Sequence, residues 1–420
     1  MKTHFLIFFG MLQLIATAQQ KLTLEECYVA VEKEYPLSKQ SALLEEKTNS
    51  EIKVLEKEKL PKLALNAQAT YQSDVIEFPF QLPNVNIESP NKDQYRATID
   101  ANQLIYNGGI ISANTKLKSA SLATKQQSIA VQLYTLKNRI NQNYFGVLLL
   151  QEQAQLLQSK KKQLQARLDE IKIGVKYGAV LPASEQVLQA ELLKLEQQQS
   201  QINNDKKKAL NNLSLLISKE ISDSTMLENP TLSFDLKNTS ERPELMLFEL
   251  QENQLETSKE VISKSNFPKI SGFAQLGYGN PGLNMLDNSF QEFYMAGLKL
   301  NWTLFDWGTV HEKKRIVDIS KDLISTEKEA FLLNTQIQLK DAESDIEKYV
   351  EMLQKDGEII TLREDILKTT TSQLQHGAIT SSEYIIELNN LYEAKIDQQL
   401  HNIQLAFTKA NYKVIAADFN

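Results

Sequence analysis

The chain has 420 residues, a formal net charge of −7 at pH 7 and a mean hydropathy of −0.36. Its 42% hydrophobic and 24% charged residues exclude a disordered chain, and the low mean hydropathy excludes a helical membrane protein. The acidic balance disfavours binding to nucleic acid, whose phosphates are contacted by lysine and arginine. The one cysteine, Cys27, excludes a disulfide framework and a thiolate metal site. Only 14 glycines and 10 prolines are present, roughly half the usual share, which indicates few turns and long elements.

The N-terminus carries the features of an export signal. Lys2 is followed by an apolar run from Phe5 to Ile15 and then by the small-residue sequence Ala16-Thr17-Ala18. This pattern is typical of a secretory signal peptide, and the run is too short to cross a bilayer. We therefore expect residues 1–18 to be removed from an exported chain.

Two regions of the first half alternate apolar and polar residues with a period of two. The alternating sequences begin near Lys62 and Gln94. They predict strands over about residues 62–74 and 93–106. Strands of about ten residues with one apolar face are typical of a membrane β-barrel, although a half-buried soluble sheet shows the same alternation.

The stretch after these strands contains almost no helix breaker. From Ile111 to Ile173 there is no proline and a single glycine, Gly146. We predict long helices over about residues 109–176 and 182–218, and the first would rise about 100 Å. A heptad seam supports them, with apolar residues at Leu157, Leu164, Leu168, Ile171, Val175, Leu188, Leu192 and Leu195. Helices packed in a single layer and a two-stranded coiled coil both fit this spacing.

The second half of the chain repeats this order. A linker at residues 221–242 joins the two halves, and we expect it to lie at the middle (equator) of the long helices. After it we predict strands over about residues 269–279 and 291–305. Long helices are predicted over about residues 308–375 and 380–417. The apolar spacing of a seam recurs in the first of these helices, at Ile346, Val350, Leu353, Ile360, Leu367 and Leu374.

Matching motifs indicate that the chain is an internal duplication. Pro61, before the first strand, corresponds to Pro268, which lies 207 residues later. Gly178, between the two long helices, corresponds to Gly377, which lies 199 residues later. The two structural repeats are residues 19–220 and 243–420.

The number of strands limits how they could lie in a membrane. Four strands cannot close a barrel, for which about eight is the minimum, and lipid does not tolerate an open sheet edge. Strands of this chain in a membrane must therefore share one barrel with strands of further copies. Only the larger barrels leave an open lumen.

The order of these motifs resembles the TolC-like outer-membrane efflux protein family over essentially the whole chain after the signal peptide. The motifs that carry the resemblance are Leu22-Thr23-Leu24-Glu25-Glu26, Arg242-Pro243-Glu244-Leu245, Leu304-Phe305-Asp306-Trp307-Gly308 and the glycine turns at 178 and 377. The resemblance implies a mainly α-helical fold with a membrane β-barrel. Three chains would form a 12-stranded barrel in the bacterial outer membrane, continued into the periplasm by a long α-helical barrel.

The resemblance also implies a function and partners. The protein would be the passive exit duct of a tripartite efflux or type I secretion system, with no catalytic residue, cofactor or metal. Its partners would be two further copies, outer-membrane lipid, a periplasmic adaptor (membrane fusion) protein and an inner-membrane pump, either proton-driven or of the ATP-binding cassette type, but not nucleic acid. The alternative from a different class is a periplasmic coiled-coil adaptor or structural protein of an export complex. An enzyme is a more distant alternative.

The glycine turns are the first group of candidate site residues. Glycine allows a long helix to stop and reverse, because it takes the left-handed conformation without steric cost. By resemblance these turns also form the periplasmic tips that contact the adaptor. The candidate contact residues are Tyr177, Gly178, Ala179, His376, Gly377 and Ala378.

A second group concerns the pore. The resemblance implies acidic residues just after the turn of the second repeat, where Glu383 and Glu387 are candidates for a constriction. Three copies of Glu383 around an axis would attract cations. Ile386 occupies the position where a second acid is common, and a solvated glutamate on a helix face explains Glu383 equally well.

Aromatic residues near the strand ends form a third group. They are candidates for a belt at the membrane interface, and ordinary core packing is the alternative. These residues are Tyr106, Tyr278, Tyr294, Trp302 and Trp307. The histidines at positions 311, 376 and 401 lie far apart in sequence and match no metal-binding motif.

Overall fold

The computed structural model describes residues 21–76, 89–231 and 242–417, and it is mainly helical. The predicted signal peptide and parts of the first strand-to-strand loop and of the linker lie outside these residues. The chain divides into two compact units. We call residues 39–130 and 243–330 the strand unit, and the remaining described residues the helical unit.

Seven helices are present in the described part of the chain. The first repeat contains two short helices before its strands and two long helices after them, and the second repeat contains one short helix and two long ones. Their bounds are α1 Leu24–Glu34, α2 Gln40–Lys57, α3 Ile110–Lys176, α4 Pro182–Ile217, α5 Pro243–Ser265, α6 Thr309–Gln375 and α7 Ser381–Ala416.

The strand unit contains an antiparallel sheet of four strands, β2 Lys62–Tyr71, β3 Asp93–Tyr106, β5 Lys269–Asn280 and β6 Gln291–Asn301. They lie in the order β2-β3-β5-β6, so β2 and β6 are the edges of the sheet. Strand β2 ends at Tyr71 and strand β6 at Asn301, before the ends expected at residues 74 and 305. Each stops because its partner strand stops: Tyr71 pairs with Asp93, where β3 begins, and Asn301 pairs with Lys269, where β5 begins.

A short parallel strand pair in the helical unit was not anticipated from the sequence. Strand β1, Lys21–Leu22, pairs with β4, Met226–Leu227, in the linker between the repeats. The fully buried Tyr144 of α3 fixes this pair, since its hydroxyl lies 2.9 Å from the carbonyl oxygen of Leu22 and 2.6 Å from that of Glu228. The start of the described chain is thereby tied to the linker.

The long helices of the helical unit share one apolar core. It takes buried residues from all four helices, including Leu164 of α3, Leu188 of α4, Leu374 of α6 and Tyr384 of α7. A two-stranded coiled coil would bury residues of two helices only, so that alternative is wrong. The seam prediction fails at Val350, which is 53% exposed and lies away from this core.

Candidate functional site

The first candidate site comprises the two turns that reverse the long helices, in the helical unit. We call residues 174–183 the first tip and residues 373–382 the second tip. Gly178 has φ of +75° and Gly377 has φ of +70°, so both need the left-handed conformation that glycine allows. A Cβ placed on either glycine meets no atom within 4 Å, so both turns are open to solvent.

Both tips end their first helix with the same hydrogen bonds. The amide of Gly178 donates to the carbonyl of Val175 at 3.0 Å, and the amide of Ala179 donates to that of Gly174 at 2.8 Å. The equivalent donors Gly377 and Ala378 bond in the same way in the second tip, at 3.1 and 2.9 Å. This is the Schellman arrangement, which satisfies carbonyls that the helix end leaves unpaired.

The structure places the six predicted contact residues in two separate turns and leaves all of them exposed. Tyr177 is 77% exposed, and the other five also belong to the exposed class. The loops themselves are anchored from inside, because Val180 and Ile379 pack against the shared apolar core. Each tip therefore exposes a glycine and an alanine beside one larger residue, Tyr177 or His376, on a base that the core holds in place.

Glu383 has a local structural role at the start of α7. Its carboxylate accepts hydrogen bonds from the backbone amide of Thr380 at 2.7 Å and from the hydroxyl of Thr380 at 2.9 Å. The Thr380 hydroxyl in turn accepts from the amide of Glu383, which completes a capping box. The backbone donor, followed by the hydroxyl, lowers the pKa of Glu383 below its usual value.

Glu387, the other pore candidate, lies against the neighbouring helix. Its carboxylate is 3.2 Å from the guanidinium of Arg363 on α6, and the two side chains are 27% and 37% exposed. Asn390 donates a further hydrogen bond to the same oxygen at 3.3 Å. Because 24 residues separate its members, the local sequence around either one gives no indication of this ion pair.

The sheet of the strand unit has one apolar face that none of the described residues covers. Register places Leu65, Ile99, Leu276 and Tyr294 in one row across all four strands. Leu65 is 77% exposed and Leu276 62% exposed. The half-buried sheet that the sequence also allowed would have covered these side chains.

The predicted aromatic residues lie at the two ends of this sheet. Tyr278 and Tyr294 are near the loop-joined end of β5 and β6, whereas Tyr106, Trp302 and Trp307 follow or end strands at the helix-joined end. All five are between 46% and 88% exposed, so none is packed in a core of this chain. Tyr71 and Tyr95, at the loop-joined end of β2 and β3, are exposed in the same way.

Trp307 occupies an unusual backbone conformation at the start of α6. Its φ is +55°, although it is not a glycine, and its side chain is 88% exposed. The equivalent position of the first repeat is Gly108, where a Cβ would lie 2.4 Å from the Cβ of Phe267. A bulky residue held in the left-handed region costs about 1–2 kcal/mol, and such strain often marks functional positions.

Three further findings concern metal binding, the cysteine and membrane-spanning helices. Within the described ranges, no group of three or more His, Cys, Asp or Glu side chains is arranged to hold a metal ion. Cys27 is fully buried, and burial raises the pKa of its thiol to about 12. No helix in the described part of the chain is both long and apolar enough to cross a membrane.

Comparison with known families identifies the first repeat. Residues 33–218 match the family described as "Outer membrane efflux protein". The resemblance to the TolC-like outer-membrane efflux proteins is thereby confirmed, as is the predicted function of an outer-membrane efflux channel. No curated protein matches the sequence.

Solved structures of efflux channels share the fold of nearly the whole chain. Each of the three cited here covers 94% of it. The CusC structure, described in terms of transmembrane channel formation, has a TM-score of 0.68 and 13% identity, with 91% of its own chain covered. The CmeC outer membrane channel of Campylobacter jejuni has a TM-score of 0.64 and 14% identity, with 85% of its own chain covered. The outer membrane protein VceC of Vibrio cholerae has a TM-score of 0.65 and 14% identity, with 95% of its own chain covered. The family and these neighbours are channel proteins rather than enzymes.

Proposed function

We propose that this efflux protein is the passive outer-membrane exit duct of a tripartite export machine. Three copies form a 12-stranded barrel in the outer membrane, and their long helices extend into the periplasm. The observation that carries the proposal is the four-stranded sheet, with its uncovered apolar face and two open edges.

The edges of the sheet explain why one copy is insufficient. Among the described residues, the edge strands β2 and β6 each leave one row of backbone donors and acceptors without a strand partner. Lipid cannot satisfy these groups, and each one left unpaired costs several kcal/mol. Pairing β6 of one copy with β2 of the next removes every edge, and three copies supply a barrel wide enough for a lumen.

The aromatic residues support placement of this sheet in a bilayer. Tyr294 and Trp302 are eight residues apart along β6 and the residues that follow it, which is about 27 Å at about 3.4 Å per residue. A strand tilt of about 40° converts this distance to a height of about 20 Å, close to the apolar band of membrane barrels, about 25 Å. The exposed Trp307 would anchor the helix-joined side at the interface, which accounts for its strained backbone.

The tips are the proposed contact surface for a periplasmic adaptor. Glycine and alanine there leave the backbone accessible, so side chains of a partner can approach closely. The variants Gly178→Glu and Gly377→Glu test this role, because each adds a charged side chain to an open turn. We expect efflux to be lost while the trimer persists, and wild-type efflux in both variants would contradict the assignment.

We also propose that Glu383 contributes to the narrow end of the duct. Three carboxylates around the axis would attract cations and repel one another unless water or counter-ions separate them. Glu387 is the weaker candidate, since Arg363 partly neutralises it. Glu383→Gln can keep the capping box while removing the charge. A change in single-channel conductance supports the constriction, and unchanged conductance contradicts it.

Membrane fractionation combined with native mass measurement tests the main proposal. We expect the protein in the outer-membrane fraction, with a mass of three chains after detergent extraction. A periplasmic adaptor or structural protein, the alternative, would be released as a soluble species. A soluble monomer would therefore overturn the duct, whereas loss of efflux on deletion of the gene supports it.

A further inference from the structure

The face of the sheet opposite the apolar one carries mostly positive charge. On this second face, neighbouring strands pair Lys62 with Asn102, Asn66 with Thr98, Asp100 with Gln275 and Ser271 with Lys299. The charged side chains on this face within the strands are Lys62, Arg96, Asp100, Lys269 and Lys299. Four of these five are cationic, although the whole chain is acidic.

The single acidic side chain on this face is committed to the sheet. The carboxylate of Asp100 accepts hydrogen bonds from the side chains of Asn66, Gln275 and Thr98, the last at 3.0 Å. These donors come from three adjacent strands, so the carboxylate links them. None of these three partners is a cation.

Arg96 is also held in place, but without losing its charge. Its guanidinium carbon lies 5.6 Å from the ring centre of Phe293, which covers the space above Gly277. Stacking on an aromatic face orients a guanidinium and leaves its donors open to ligands.

The three lysines form a band at the helix-joined end of the sheet. Lys62 and Lys269 are the first residues of β2 and β5, and Lys299 lies two residues before the end of β6. All three side chains are exposed, and no carboxylate of the described residues forms an ion pair with them. We call these three residues the lysine band.

We propose that the lysine band makes this segment of the duct selective for anions and for cargo with acidic groups. The inference rests on the proposed function, in which the apolar face contacts lipid and the polar face lines the lumen. Three copies then place nine lysines around one water-filled passage. Rings of like charge in a confined passage concentrate counter-ions and exclude ions of the same sign.

The inference predicts a measurable ion preference. In a planar bilayer with a KCl gradient, the zero-current potential reports the permeability ratio of chloride to potassium. The variant Lys62→Gln/Lys269→Gln/Lys299→Gln should lower this ratio at least about threefold near 0.1 M salt. The effect should shrink near 1 M salt, where the Debye length falls to about 3 Å.

A charge-preserving variant is the matched control. Lys62→Arg/Lys269→Arg/Lys299→Arg changes the same positions but keeps their charge, so it should retain the wild-type ratio. An unchanged ratio in the glutamine variant overturns the inference, as does an equal drop in both variants. If the triple glutamine variant does not assemble, Lys269→Gln and Lys299→Gln singly should each give part of the shift, and absence of any shift overturns the inference.

Failure of the inference is distinguishable from failure of the proposed function. A wild-type protein that forms no trimer and no pore overturns the duct, and the lysine band with it. A wild-type trimer that conducts, with a permeability ratio independent of the three lysines, overturns the lysine band alone.

Discussion

The hairpin of α3 and α4 buries Leu164 and Leu188. At the matching positions, 199 residues further on, the hairpin of α6 and α7 carries Arg363 and Glu387. Both leucines are fully buried in the shared core. The arginine and glutamate instead form an ion pair that is about one third exposed. The two hairpins therefore have the same backbone plan but different chemistry at matching points.

A second pair of positions differs in the same direction. Leu157 of the first hairpin is buried in the shared core, and Ile202 packs against that core. Their counterparts are Asp356 and His401, whose Oδ2 and Nδ1 atoms lie 2.6 Å apart with side chains only 10% and 14% exposed. An apolar contact of the first hairpin is thus a largely buried polar contact in the second.

One exchange runs the other way. Lys160 and Glu191 of the first hairpin are 3.5 Å apart and nearly buried, and burial lowers the pKa of Lys160. The equivalent residues of the second hairpin are Ile359 and Asn390. The duplication therefore preserves the path of the helices and not the contacts between them. Apolar burial stabilises in proportion to the area removed from water, whereas an ion pair must offset the cost of desolvating its charges.

The largest expected effect is in the first hairpin. Leu188→Ala leaves a cavity in the shared core and should lower the free energy of unfolding there by about 4 kcal/mol. Its counterpart Glu387→Ala removes a partly exposed ion pair and should cost about 1 kcal/mol or less. Native-state hydrogen exchange of the hairpin amides measures both. Equal losses in the two variants would remove the distinction between the hairpins.

The next effect tests the buried polar pair of the second hairpin. Asp356→Leu alone leaves His401 without its hydrogen-bond partner in a nearly dry site, and should cost about 2 kcal/mol. The double variant Asp356→Leu/His401→Ile installs the residues found at Leu157 and Ile202. We expect it to recover most of that loss. A double variant no more stable than the single one would show that the second hairpin needs the polar pair.

Parts of this arrangement were readable from the sequence because single residues determine them. Gly178 and Gly377 end their helices since only glycine takes φ near +70° without cost. The alternation that begins at Lys62 sets which side chains share a face of the sheet. In contrast, the pairing of β1 with β4 involves two residues from each segment, too few for any pattern.

The polar contacts of the second hairpin do not follow from its own apolar spacing, but a comparison of the two repeats holds a signal for them. Superposing the repeats at a separation of 199 residues puts Arg363 and Asp356 on positions that are leucine in the first seam. Charged residues at seam positions predict partners on a neighbouring helix. Glu383 shows the converse, because Thr380-Ser381-Ser382-Glu383 is a capping-box sequence, which by itself predicts a local role for this glutamate.

The tips provide a smaller test of the same comparison. Thr380 caps α7, whereas its counterpart Leu181 makes no capping hydrogen bond and precedes Pro182 at the first turn of α4. Thr380→Ala should destabilise the first turn of α7 by about 1 kcal/mol. The matched variant Leu181→Ala should leave α4 unchanged. Hydrogen exchange of the first-turn amides distinguishes them, and fraying of α4 in Leu181→Ala would contradict the difference.

The smallest expected effect is a pH dependence confined to the second tip. The donors of Thr380 lower the pKa of Glu383, so the capping box stabilises the folded tip above the ordinary glutamate pKa. That stabilisation is lost as pH falls through the lowered value, below 4.5. Ser184 occupies the equivalent position of the first tip and carries no carboxylate to titrate.

Exchange rates corrected for intrinsic chemistry should therefore rise in the first turn of α7, but not of α4, as pH is lowered from 6 to about 3. Glu383→Gln is the control, since glutamine can keep the capping box without titrating. If exchange rises in both tips, or if Glu383→Gln still responds to pH, then titration of Glu383 is not the cause of the pH dependence. A response of α7 alone, absent in Glu383→Gln, means that the two glycine turns have the same backbone conformation but that only the second is stabilised by an ionised carboxylate.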